Sequence, residues 1–488
     1  MKLNKTHYIL AVIFLSAVIF QSYFVFQTNT FSSDSAYFNI RQVESIGENG
    51  KPILKDELSY GEKINLLSPV FHYILSVFSF SKINYKLIPI ILMSLIVFVV
   101  YLISFSITKD KKASLIAAFI SAFIPIYISK TLNQFSIYSI ATPLFFFTIY
   151  YFILLDKDKK YVNHLVWLSF LLPLIHPIAL ILPLSFFFYV ILTTTESINI
   201  SKREKEVIIF STLAILLIES LIYKKAFVEY GLNILFQNIP REILGSYFKD
   251  LSLINTILSL GVIPLVLGVI GLYFGYIRKK KSVYILTSII VSVFSLLLLK
   301  YIDISTGLTF LGISLVVLSS IIISDFLTFI RETKISKIEN PSVAILVVLI
   351  ILLSIVPSAF FASDVISSSY PNEDIETLQW IEQNTFSGSV VLAPLEYGHL
   401  ITSISKRVNI LDSNFLMAPL PSQRLIDVNE VYTTPSKVKA SEIINKYEVN
   451  YILLTPKIKE KLKIEKLAYL ENEKCFEEVK EGVIKVLC

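Results

Sequence analysis

Long apolar runs alternate with short polar connections as far as residue 362, and beyond it the pattern changes. The runs at 7–27 and 85–107 each hold about the 20 residues that a helix needs to cross a bilayer. Further apolar segments lie near 113–130, 139–155, 162–178, 179–194, 206–223, 253–276, 282–299, 304–330 and 342–362, which predicts eleven membrane helices. The segment LLSPVFHYILSVFSFS at 66–81 is too short to be a twelfth. Ser68 followed by Pro69 has the form of an N-cap and a first helical residue, so a short helix in the outer membrane interface is expected there. Other divisions give 12 or 13 spans. The expected fold class is a polytopic α-helical membrane protein of about 11–13 spans with a C-terminal extracytoplasmic α/β domain.

That last domain follows from the change of pattern. Past Ala362, charges become frequent and apolar runs shorten. PNEDIETLQWIEQNT predicts a helix from Asn372 with acidic residues in its first turn, where the helix dipole favours them. SVVLAP and VNYILLTP predict short buried strands, with a helix over PSKVKASEIINKYE before the second. Strands alternating with helices predict a parallel sheet. Cys475 and Cys488 flank a final hairpin that turns near Gly482. They are the chain's two cysteines, and the sequence leaves open whether they pair. The expected domains are 1–362, transmembrane, and 363–488, extracytoplasmic.

Charge assigns the sides. With residues 1–6 cytoplasmic, five basic clusters fall at every second connection, as the positive-inside rule requires of short loops. They are Lys109/Lys111/Lys112, Lys157/Lys159/Lys160, Lys202/Arg203/Lys205, Arg278 to Lys281, and Arg331/Lys334/Lys337. The outer face then carries a first loop at 28–84, a second at 224–252 and the C-terminal tail. Lys2 and Lys5 form a basic start that a cleaved signal peptide would share, but no small-x-small cleavage site follows the first apolar run, so a signal-anchor span is expected. In composition, 54% of the residues are hydrophobic and 17% charged, against about 25% charged in a soluble domain. The net charge of +6 is dispersed between apolar runs and gives no nucleic-acid signature. A Gly-rich phosphate loop, His/Cys metal spacing and a nucleophile elbow are all missing from the sequence. With only 14 glycines, the chain is expected to use a lipid-linked rather than a nucleotide-linked substrate.

The first outer loop is where candidate chemistry begins. In DSAYFNIRQVESIG, Tyr37, Ile40, Val43 and Ile46 recur at steps of three and define one face of a helix that Gly47 and Gly50 terminate. A short amphipathic helix leaving a span is expected to lie in the headgroup plane. Asp34 stands at its start, where an aspartate satisfies free N–H groups as an N-cap.

The same stretch resembles the first outer loop of the GT-C glycosyltransferases, and most of all the oligosaccharyltransferase catalytic subunits. Their pattern of Asp, then Tyr or Phe, then Arg and Glu is matched by Asp34, Tyr37, Arg41 and Glu44. A second resemblance lies in VVLAPLEYGHLITSISKRVNILDSNF, where Glu396, Tyr397 and Gly398 match the Asp-Tyr-Gly of that family's Trp-Trp-Asp motif. Ile401, Arg407 and Asp412 match its continuation. Pro394 and Leu395 replace the tryptophan pair that reads the asparagine sequon, so sequon selectivity is not expected.

The resemblance implies a polyprenyl-phosphate-linked sugar donor, a protein, lipid or glycan acceptor, and contact with membrane lipids. It also implies catalysis by Asp34, as base, as metal ligand or as both. A divalent cation, Mg or Mn, would bind there, although the family's second acidic site is replaced by SKTLNQFSIYS, with Asn133 and Gln134. Glu229 and Glu242 are alternative carboxylates. Substrate contacts are expected from Tyr37, Arg41, Glu44, Glu396, Tyr397 and Arg407, with Arg241 the first choice for the donor phosphate. His176, before Pro177, suits a structural turn, and Glu219 and Asp325, inside apolar runs, are expected to reach water at span ends. Prolines at 125, 173, 183 and 264 leave open a transporter or flippase, and the lost carboxylates leave open a catalytically inert relative.

Overall fold

The computed structural model describes residues 5–78, 82–246, 252–332, 339–470 and 475–488. Lys2, Lys334, Lys337 and the ends of two predicted segments, at 79–81 and 247–251, lie outside the described residues. Among those described, six helices are long and apolar enough to span a bilayer: Lys5–Val25, Ile83–Thr108, Pro177–Thr195, Lys281–Leu298, Ile304–Glu332 and one beginning at Ala344. Three further pairs are bent: Lys111–Ala122 with Pro125–Thr131, Lys202–Ile222 with Lys224–Gly245, and Leu253–Leu260 with Val262–Ile277. Tyr138–Leu154 and Lys160–Ile175 are shorter apolar helices. The chain is a multi-pass membrane protein. Val70–Ser76 has only seven residues, too few to cross, and the Ser68 hydroxyl donates to Pro173 O at 3.0 Å rather than capping it.

Helices 262–277 and 304–332 make a close pair. A Cβ at Gly268 would stand 2.6 Å from Leu315 O, and one at Gly271 2.1 Å from Leu318 O, so small residues set the approach. The basic connections gather at one end of the bundle. Arg331 pairs with Asp110 at 3.0 Å, Arg278 with Asp325 at 2.8 Å, and Lys281 with both Asp156 and Glu204 at 3.1 and 2.6 Å. Asp325 thus reaches the surface, as expected. Glu219 does not: it is 5% exposed, and neither carboxylate oxygen has a hydrogen-bond partner among the described residues.

At the opposite end, the 28–84 loop and the tail pack together. The helix Asp34–Asn49 buries Tyr37, Ile40, Val43 and Ile46, and Gly50, at φ 70°, ends it in the left-handed conformation that glycine tolerates. Its buried side also carries Asp34, Asn39 and Gln42, which a helix floating on headgroups would not bury. It rests on protein, because the tail domain covers it. A two-stranded hairpin, Lys55–Asp56 with Lys63–Ile64, follows.

The tail forms a mixed five-stranded sheet in the order 408–409, 390–392, 449–453, 483–486, 476–480. The first three strands are parallel, and the last two add an antiparallel hairpin that turns at Gly482, φ 80°. Helices Asn372–Asn384, Pro421–Thr433 and Lys437–Lys446 accompany it. Cys475 and Cys488 are disulfide-bonded across that hairpin. The 224–252 loop is tied to the tail through Asn238 Nδ2, which donates to Phe415 O at 3.0 Å and Ala418 O at 3.1 Å.

Candidate active site

Two stretches 365 residues apart meet at one carboxylate. Asp34 is the first residue of its helix and makes no cap bond to it. Instead Oδ1 accepts from the backbone N–H groups of His399 at 2.8 Å and Leu400 at 3.1 Å, and Oδ2 accepts from the Ser413 hydroxyl at 3.2 Å. Those N–H groups open the helical segment 398–405 and have no partner of their own in its first turn. Asp34 therefore caps a helix of the tail domain, which corrects the expectation that it caps its own. Gly398 lets this segment lie directly against residues 411–412. A Cβ there would stand 2.2 Å from Leu411 O and 2.5 Å from Asp412 Cβ.

A second carboxylate lies beside the first with the opposite electrostatics. Asp412 is fully buried. Its Oδ1 accepts from Lys63 Nζ at 2.8 Å and Asn414 N at 2.9 Å; its Oδ2 accepts from the Ser59 hydroxyl and from Asn409 Nδ2 at 3.3 Å. Burial opposes its ionisation, but His399, Lys63 and Ser59 outweigh burial and hold it below the usual carboxylate range. His399 Nε2 stands 3.4 Å from Asp412 Oδ1. Burial pulls the imidazole down to about 4, so near neutral pH it is the Lys63 ammonium that sustains the Asp412 charge. Asp34 goes the other way. Burial, and then the Asp412 charge, raise it well above the usual range, against the opposing pull of its backbone bonds to Leu400 and His399 and of Ser413. Adjacent carboxyls pushed apart in this way commonly divide acid and base roles.

Aromatic rings wall the pair. The Tyr37 and Tyr370 centroids are 5.9 Å apart and those of Tyr370 and Tyr397 5.4 Å, both edge-on, while Phe38 lies 4.9 Å from the His399 ring. The Tyr397 hydroxyl donates to Asp374 Oδ2 at 2.6 Å, and the Tyr370 hydroxyl to Glu396 O at 2.5 Å. The Tyr37 hydroxyl accepts from Phe31 N at 3.2 Å, and burial pushes its pKa up to about 12.

Of the residues singled out from the sequence, Asp34, Tyr37 and Tyr397 come together here. Arg41 is one step removed: it forms a two-pronged pair with Asp56, at 2.7 and 2.9 Å, and so fixes the loop. Glu44 is exposed on the far side of the helix, within electrostatic reach of Lys406. Glu396 is half exposed and pairs with Lys461 at 2.5 Å. Arg407 is buried within the tail and donates to the carbonyls of Glu382, Thr385, Ser405 and Lys406. Its guanidinium closes off the end of helix 372–384 and is not available to a phosphate. Arg241 is exposed at the head of Arg241–Ser246, and no hydrogen bond or ion pair among the described residues joins it to Asp34. His176 has the turn role expected, its Nδ1 accepting from Ile178 N at 3.0 Å. Lys63, His399, Ser59 and Ser413 were not legible as site residues. A lysine in a polar loop reads as solvated, and only the carboxylate opposite gives it meaning.

Neither a family profile nor a curated protein matches the sequence. Solved structures do match. The Archaeoglobus fulgidus oligosaccharyltransferase in its apo form superposes with a TM-score of 0.66 over 91% of this chain and 69% of that one, at 15% identity. ArnT from Cupriavidus metallidurans, bound to undecaprenyl phosphate, gives 0.56 over 94% of this chain and 95% of that one, at 10% identity. The mycobacterial arabinofuranosyltransferase AftD gives 0.52 over 92% of this chain and 35% of that one, at 12% identity. The fold is that of the GT-C glycosyltransferases. Within this GT-C fold the metal expectation can be tested on the donor set. The A. fulgidus enzyme has been solved with Zn and sulfate. Here no group of three His, Cys, Asp or Glu side chains that could hold a metal occurs among the described residues. Asp34 spends both oxygens on protein donors, and Asn133 presents its amide nitrogen to Thr30 O, Ser32 Oγ and Ser369 Oγ at 2.9–3.0 Å. A hard cation needs several oxygen lone pairs aimed at one point. The described residues do not fit one.

Proposed function

We propose that this protein transfers a sugar or oligosaccharide from a polyprenyl-phosphate-type carrier to an acceptor on the outer face of the membrane. The observation that carries the reading is the Asp34 carboxylate, held by the His399 and Leu400 N–H groups directly after Glu396-Tyr397-Gly398. The two regions that carry the sequence resemblance thereby share one site. The neighbours support the donor class: one was solved with a dolichol-phosphate and an inhibitory peptide, another with undecaprenyl phosphate.

In this reading Asp34 takes the proton from the acceptor hydroxyl or amide as the acceptor attacks the anomeric carbon. The bond from that carbon to the carrier phosphate oxygen breaks, and the carrier leaves as its phosphate. Burial makes an ionised Asp34 a stronger base than an exposed aspartate, while Asp412 stays ionised and is held in place by Lys63. Pro394 and Leu395 stand where the tryptophan pair would, so acceptors are not chosen by the asparagine sequon. The orientation proposed places the N-terminus in the cytoplasm and the tail domain outside. It is supported by the basic connections gathered at one end and by the disulfide in the domain at the other.

One observation favours a catalytically inert relative: Asp34 is 7% exposed and accepts three protein hydrogen bonds. Mass spectrometry of glycans and lipid-linked sugars decides between the two. A deletion strain rescued with wild type should regain a product that Asp34→Asn and Asp34→Ala do not restore. Normal products in both variants, at equal membrane levels, would refute the proposed transfer.

A further inference from the structure

Away from this site, helices Pro177–Thr195 and Lys202–Ile222 converge on the connection 196–201 around a cavity of about 580 Å³. That volume falls within the range of small-molecule sites, about 300–1,000 Å³. Val190, Ile208 and Ile209 supply apolar wall, while Asn199 and Lys205 stand among the polar residues of the lining. The apolar wall continues along the second helix through Ile209, Leu213 and Leu217, which are 60, 63 and 62% exposed and so face the hydrocarbon of a bilayer.

The charge at the rim is unbalanced. Lys202, Arg203 and Lys205 crowd one turn. Of the acidic residues in that turn, Glu204 is turned inward and bound to Lys281 at 2.6 Å, and Glu206 is drawn to Lys202 at 3.9 Å. No salt bridge among the described residues involves Lys205. The cleft thus joins an ammonium and an amide to an exposed apolar helix face that continues from it. Inorganic phosphate has no use for that face, and a neutral lipid has none for the ammonium.

We propose that this cleft binds an anionic phospholipid of the phosphatidylglycerol type, with one acyl chain along the apolar face of Ile209, Leu213 and Leu217 and its phosphate against Lys205. This is independent of sugar transfer, because the cleft opens among the basic connections and the Asp34 site lies at the other end of the bundle. Basic pockets between membrane helices are suited to acidic headgroups, and one lysine near an anionic lipid contributes about a fivefold preference.

The test is native mass spectrometry of the full chain, delipidated in mild detergent and titrated with phosphatidylglycerol or phosphatidylcholine. Wild type should retain phosphatidylglycerol at about fivefold higher occupancy. Lys205→Gln should bring the two lipids level, and Ile208→Trp, which fills the cleft, should lower both. Lys202→Gln is the control, since that side chain is 92% exposed and does not line the cleft; it should keep the preference. Equal binding of the two lipids by wild type would overturn the proposal. So would a preference that survives Lys205→Gln, an equal loss in Lys202→Gln, or displacement of phosphatidylglycerol by equimolar undecaprenyl phosphate.

Discussion

Replacing Lys63 by methionine should loosen the contact between the 28–84 loop and the tail domain. Lys63 is 1% exposed and donates to Asp412 Oδ1 at 2.8 Å and to Asn414 O at 2.9 Å. Asp412 has no exposure at all. Removing one partner of a buried pair leaves an uncompensated charge and costs about 3–5 kcal/mol. Ser59, Asn409 and the Asn414 N–H remain around the carboxylate, so the expected cost is near the lower end, about 3 kcal/mol. Trp380 belongs to the tail helix 372–384, and the chain's other tryptophan is Trp167. Denaturant unfolding in detergent, followed by Trp380 fluorescence in a Trp167→Phe background, measures the effect. Asp412→Asn alone should also destabilise, by stranding the ammonium. Lys63→Met with Asp412→Asn should recover most of the loss, giving a coupling energy of about 2 kcal/mol. Acid adds a signed check. A carboxyl held low in the fold contributes stability that is complete above its unfolded value of about 3.9 and is lost as pH falls through the lower folded value. Wild type should show this loss below about pH 4, and the double variant should not show it. A Lys63→Met chain within 1 kcal/mol of wild type, or strictly additive variants, would refute the electrostatic reasoning.

The other expectations concern neighbouring groups. Asp34 is raised in the fold, so its ionisation works against stability as pH rises above about 3.9; Asp34→Asn should melt at or above the wild-type temperature at pH 7, lose that advantage below about pH 4, and lack transfer activity. Gly398→Ala forces its Cβ against Leu411 O and should cost about 1–3 kcal/mol and most activity, measured by tail-domain unfolding and product mass spectrometry. Cys488→Ser opens a loop with a sequence separation of 13 and should cost up to about 3 kcal/mol, read as faster hydrogen exchange in the final hairpin, with activity retained.

The spans and the tail domain were legible because their signals are local. Run length separates membrane helices from core helices, and the short strands at 390–392 and 449–453 lie inside the apolar stretches that predict them. Asp34 was legible as a special position, but not the direction of its carboxylate. A periodic face shows which side of helix 34–49 is buried, yet not whether lipid or protein covers it. The same limit misassigned Arg407. In sequence it is a cation on the outer side, whereas its hydrogen bonds within the tail make it a brace. The Lys63–Asp412 pair spans 349 positions, and no local pattern marks either residue as a partner of the other.

That separation has a consequence for how the protein is made. Asp34 leaves the ribosome 365 residues before the amide groups that receive it. At about 5–20 residues per second, roughly 20–70 s of synthesis pass before those amides exist. Until the last span is inserted and the tail has folded, the loop carries an aspartate with no amides to receive it. The buried environment of Asp34 is therefore assembled only in the finished chain, and a truncation that removes residues 398–413 should leave that carboxylate without its three donors.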